Sequence, residues 1–84
     1  MDIETLLQKY VAKNLLFDDA GFEYGNDDSF LEEGIVDSTG VLELVLFVEE
    51  TYGLTVDDQE ITRENFDSIN KLASFIRCKL AVEN

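Results

Sequence analysis

Apolar residues recur at intervals of three and four in three separate stretches of this 84-residue chain, and no proline interrupts them. Ile3, Leu6, Leu7, Tyr10 and Val11 follow Asp2, a good N-cap, and predict an amphipathic helix to about Leu15. The second pattern opens at Asp37 or Ser38 and runs to Tyr52, where Gly53 supplies the left-handed residue that ends a helix. A third opens at Asp67 or Ser68, with Ile69, Leu72, Ala73, Ile76 and Leu80 on one face. Between them, Thr62-Arg63-Glu64-Asn65-Phe66 reads as a single helical turn capped by Thr62. The expected fold is all-α, a small four-helix bundle with a short third helix, in one domain over residues 1–84. A hydrophobic content of 45% suffices for one compact core and is too high for a disordered tail.

From Leu16 to Asp37 the periodicity fails. Gly21, Gly25 and Gly34 punctuate this stretch, which also holds the pairs Asp18-Asp19 and Asp27-Asp28. A connection this long is usually functional or pinned by its own apolar residues, here Phe22, Phe30, Leu31, Ile35 and Val36. The second helix carries more apolar residues than one buried face needs. Leu44, Val45, Val48 and Tyr52 form a core stripe, whereas Leu42 and Leu46, joined by Thr39, lie on another side. That second stripe either packs under the long loop or stays exposed as a contact patch flanked by Glu43, Glu49 and Glu50.

The net charge of −13 excludes nucleic acid and anionic membrane surfaces as partners. Between Lys13 and Arg63 there are fourteen Asp or Glu residues and no Lys or Arg. A one-sign field of this kind keeps a protein soluble and steers basic partner surfaces toward it. No apolar run approaches a membrane span, so no membrane insertion is expected, and the acidic N-terminus lacks the basic start of a secretory signal. Cys78 stands alone, which precludes an internal disulfide and suits a reducing cytoplasm.

Catalysis by the chain itself lacks its parts. Ser38 has no histidine to activate it, and Val36 stands where a strained nucleophile turn needs glycine. Cys78 lies between Arg77 and Lys79 but has no imidazole partner. Neither aspartate pair has the alternating acids, central glycine and terminal glutamate of a calcium loop, and no glycine-rich phosphate loop is present. What remains is Glu32-Glu33-Gly34-Ile35-Val36-Asp37-Ser38-Thr39-Gly40, a serine behind an aspartate where loop gives way to helix. Ser38 there is either an ordinary cap or an attachment point. A phosphoryl group on it would meet the unpaired N–H groups and positive end of the following helix.

In that frame the chain resembles the acyl and peptidyl carrier proteins, whose signature is an Asp-Ser pair opening the second of four helices. Asp37-Ser38 stands there, and the similarity extends through Asp28-Ser29-Phe30-Leu31-Glu32-Glu33-Gly34-Ile35, Glu43-Leu44-Val45, Glu49-Glu50 and Ile61-Thr62-Arg63-Glu64-Asn65-Phe66. The resemblance implies a cytoplasmic, monomeric, stand-alone carrier, not itself an enzyme but a cosubstrate of its partners. Ser38 would receive 4′-phosphopantetheine from coenzyme A through a phosphopantetheinyl transferase. An acyl- or aminoacyl-activating ligase would load the arm's thiol as a thioester, and acyl-transfer enzymes with basic docking surfaces would then use it. The family's docking helix maps onto Asp37, Thr39, Leu42, Glu43, Leu46, Glu49 and Glu50. Fatty-acid carriers usually have leucine after the serine, whereas Thr39-Gly40 looks more like D-alanyl, aminoacyl and some specialised carriers. The expected role is therefore carriage in a specialised fatty-acyl, polyketide or nonribosomal pathway, with a D-alanyl or aminoacyl carrier as the alternative. A different class, an acidic helical adaptor that binds a basic partner, requires no modification of Ser38, and a calcium sensor ranks behind both.

Overall fold

In the computed structural model, α1 (Ile3–Tyr10), α2 (Ser38–Tyr52), α3 (Arg63–Phe66) and α4 (Ile69–Glu83) make the expected four-helix bundle, with no strand among the described residues. The description covers residues 2–18 and 20–83, with 82 and 83 as backbone alone, so Asp19 of the first aspartate pair lies outside it. Asp2 caps α1, its Oδ1 accepting the Thr5 N–H at 2.8 Å. Leu7 and Val11 are buried, and Ile3 and Tyr10 pack at the edge of the core. The sequence pattern continues to Leu15, but the backbone widens over Val11–Leu15 into a π turn, with the Leu16 N–H bonded to the Val11 carbonyl at 2.9 Å. Leu15 and Leu16 thereby reach the core's margin.

The long connection is held at discrete points. Gln8 donates to Asn26 Oδ1 at 2.6 Å, and the Asn70 N–H reaches the Asn26 carbonyl at 3.0 Å. Asp28 accepts the Gly25 N–H and Asp27 accepts from Asn70, so this acidic pair braces the loop. Phe30, Ile35 and Val36 are buried pins and Phe22 is a partial one, whereas Leu31 stays 42% exposed. Leu31 was expected among the pins; its N–H is tied down while its side chain faces a groove described below.

Gly53 ends α2 at φ 65°, a left-handed conformation that costs glycine little. Leu44, Val45 and Val48 are buried as the periodicity requires, and Tyr52 is half-buried. Beyond α2, Glu49 Oε2 accepts the Val56 N–H at 2.9 Å and pulls Leu54 and Val56 into the core. Asp57 and Glu60 then bracket a short 3-10 turn over Asp58–Glu60.

Of the two candidates for opening the last helix, Ser68 takes the role, its Oγ accepting the Lys71 N–H at 3.1 Å. Asp67 is instead buried beneath the long loop. Phe66 and Phe75 meet with ring centroids 5.3 Å apart, which fastens α3 to α4. Ile69, Leu72, Ala73 and Ile76 are fully buried. No helix among the described residues is long and apolar enough to cross a membrane.

Candidate functional site

Asp37, not Ser38, caps α2. Its Oδ1 accepts the Gly40 N–H at 2.7 Å, and its carbonyl accepts the Val41 N–H at 3.0 Å. Ser38 is thus the first helical residue, exposed, with its hydroxyl taking no part in the cap. The helical ladder leaves the N–H groups of Ser38 and Thr39 outside it, at the positive end of a fifteen-residue helix.

A relay of contacts running back to Asp67 fixes the position of this turn. Asp67 is 4% exposed, and its carboxylate accepts from the Ser29 hydroxyl at 2.5 Å, the Leu31 N–H at 3.2 Å and Arg63 at 3.2 Å. Burial pushes this carboxyl's pKa up, but the Ser29, Leu31 and Arg63 donors outweigh burial and hold it below the ordinary value. The Asp67 carbonyl also accepts the Phe30 N–H at 2.7 Å. The Phe30 carbonyl in turn accepts the N–H groups of Ile35 and Val36 at 2.8 and 3.1 Å. Val36 then packs under Gly40, where an added Cβ would lie 2.6 Å from Val36 Cγ1. The glycine after Thr39 is therefore a seat for the first turn of α2.

A groove of about 230 Å³ opens beside Ser38 between α2 and α3. Leu31, Val41, Leu42, Ile61 and Phe66 give it apolar walls, and Arg63 contributes a cation. These residues suit a phosphodiester-linked arm: an uncommitted exposed hydroxyl, helix-end N–H groups for the anion, and an apolar recess alongside. Sequence reasoning picked out Ser38 but gave no such role to Leu31, Ile61, Arg63 or Asp67. Leu31, Ile61 and Arg63 stood in the stretches that carry the resemblance, and Asp67, directly after a short helix, reads equally well as a cap.

Of the residues assigned to docking, Asp37 at the cap and Thr39, Leu42, Glu43, Leu46 and Glu50 on α2 are exposed. Leu42 and Leu46 are 58% and 59% exposed, so their stripe stays open and does not pack under the loop. Glu49 differs from the rest: it is half-buried and bonded to the Val56 N–H, which gives it a part in the fold. Two of the six basic residues are engaged elsewhere, Arg77 bidentate on Glu4 at 2.7 Å and Lys79 on Glu60 at 3.1 Å. Among the described residues no three His, Cys, Asp or Glu side chains converge on a point that could hold a metal ion.

No family model matches the chain. Curated proteins do. D-alanyl carrier proteins from two strains of Streptococcus suis are 32% and 33% identical over 75 residues, covering 88% of this chain and 90% of each relative. The D-alanyl carrier protein of Lactobacillus delbrueckii subsp. bulgaricus is 27% identical over 73 residues, or 84% of this chain and 90% of the relative. These matches span the helical bundle and, between the two cargo expectations, favour the one first held as the alternative. The chain belongs to the carrier-protein family that includes the D-alanyl carrier proteins.

Proposed function

We propose that this chain is a single-domain carrier that holds an aminoacyl group, D-alanine by likeness to its relatives, on a 4′-phosphopantetheine arm attached to Ser38. The observation that carries the reading is the division of labour at the start of α2: Asp37 does the capping, which leaves the Ser38 hydroxyl uncommitted and exposed. When bound, the arm supplies a terminal thiol on which the cargo is held as a thioester, activated for acyl transfer. The protein's own residues have other tasks. The helix-end N–H groups receive the phosphate, Gly40 and Val36 fix the turn, and Asp37, Thr39, Leu42, Glu43, Leu46 and Glu50 offer an acidic, partly apolar face to basic partners. The partners in this reading are a phosphopantetheinyl transferase, an adenylating aminoacyl ligase and a downstream acyl-transfer enzyme, each meeting a monomeric carrier in the cytoplasm.

Incubation of the apo-protein with coenzyme A and a promiscuous transferase should add one arm to its intact mass, and Ser38→Ala should add none. An unchanged mass with a transferase that modifies another carrier in parallel would refute attachment and favour the acidic adaptor. The apolar walls of the groove beside Ser38 support a second cargo reading, a short aliphatic acyl chain. Charging of the holo-protein by acyl ligases and refusal by aminoacyl ligases would decide for that reading.

A further inference from the structure

The end of α1 presents an aromatic ring to solvent from a strained backbone. The Leu16 N–H bonds to the Val11 carbonyl at 2.9 Å and the Asp18 N–H reaches back to the Ala12 carbonyl at 2.8 Å, so the helix closes over a widened turn. Between them Phe17 sits at φ 55°, a position after a helix that ordinarily takes glycine. Its ring gains no burial in exchange: at 81% exposed it is the most open large apolar side chain among the described residues. A residue that is both backbone-strained and solvent-facing is poorly explained by folding.

Its surroundings indicate what the ring could meet. Phe17 borders a cleft of about 440 Å³ together with Asn14, Thr39 and Glu43, on the α1 flank of α2. Asn14 and Glu43 also line a neighbouring hollow of about 400 Å³, edged by Leu46 and Glu50. Tyr10 and Phe47, stacked at 4.0 Å, stiffen this stretch. Asp37, Glu43 and Glu50 supply the charge, and among the described residues no Lys or Arg lines either hollow. The trough therefore repels a second copy of this acidic chain and any anionic membrane, and it complements a cationic protein surface.

We propose that Phe17 anchors a partner enzyme along the α1–α2 trough, its ring entering an apolar recess set in a basic docking surface. The proposal rests on the carrier reading and extends the contact beyond the exposed face of α2. Central aromatic anchors dominate such interfaces, and acids at the rim set the encounter rate.

The test uses holo-protein charged by the adenylating ligase of its own source, with initial rates giving KM and kcat for the carrier. Phe17→Gly should raise KM by about tenfold and leave kcat in place. It should melt no lower than wild type, because glycine relieves the left-handed strain. Phe17→Trp should keep KM within roughly twofold of wild type by restoring the anchor. An unchanged KM in Phe17→Gly overturns the proposal, as does a raised KM accompanied by a lowered melting temperature. Sedimentation that shows a dimer dissolved by Phe17→Gly would overturn it in favour of self-association. Failure of wild-type protein to accept the arm at Ser38 would remove the carrier reading itself, an outcome visible by mass before any Phe17 variant is compared.

Discussion

Gly40→Ala separates what helix propensity demands from what packing allows. Propensity alone favours the change, since glycine inside a helix costs about 1 kcal/mol relative to alanine. The structure opposes it: the new Cβ would lie 2.6 Å from Val36 Cγ1 and 3.4 Å from Asp37 Oδ1. Val36 has little freedom to yield, being 3% exposed, β-branched and tied through its N–H to the Phe30 carbonyl. Overpacking of this kind costs about 1–3 kcal/mol. Set against the propensity gain, the net loss should be about 1 kcal/mol. For a domain this small that lowers the melting temperature by roughly 4–8 °C. Far-UV circular dichroism melts would read it directly. A double-mutant cycle isolates the cause. With Val36→Ala already in place the obstructing methyl is gone, and Gly40→Ala should then stabilise by about 1 kcal/mol. The coupling between the two sites should therefore be near 2 kcal/mol, within the range for residues in contact. If Gly40→Ala stabilises the wild-type background, or costs the same in both backgrounds, the seat under α2 is not what the glycine provides.

Acid and salt responses follow from the same framework. Because the folded Asp67 carboxyl titrates below its ordinary value of 3.8, its contribution is complete above the unfolded pKa and is lost as pH falls through the folded one. Asp67→Asn should cost about 1–3 kcal/mol at neutral pH and flatten the acid limb of the stability profile, as measured by urea melts; a profile parallel to wild type would count against the relay. Salt or magnesium should raise the melting temperature by screening the acids that give a net charge of −13. Insensitivity to both would show that this repulsion does not limit stability.

Periodicity determined the helices here because each one buries a face set by local spacing: Leu44 and Val48, or Ile69, Leu72 and Ile76, are buried where a period of 3.6 residues puts them. Glycine chemistry likewise fixed the end of α2 at Gly53, and the Asp-Ser pair at a helix start marked the candidate site. Other features depended on neighbours distant in the chain. Between Asp37 and Ser38 the sequence allowed either cap, and the approach of Val36 to Gly40 accompanies the choice that left the serine hydroxyl uncommitted. The role of Asp67 rests on bonds to Ser29 and Leu31, thirty-six or more positions away, which no local pattern encodes. Glu49 looks like any surface acid until the returning chain brings the Val56 N–H to it. That Phe17 stays 81% exposed is visible only in the packed bundle. Local spacing specifies which faces are apolar, whereas which groups meet across the bundle is decided by closure of the loops between them.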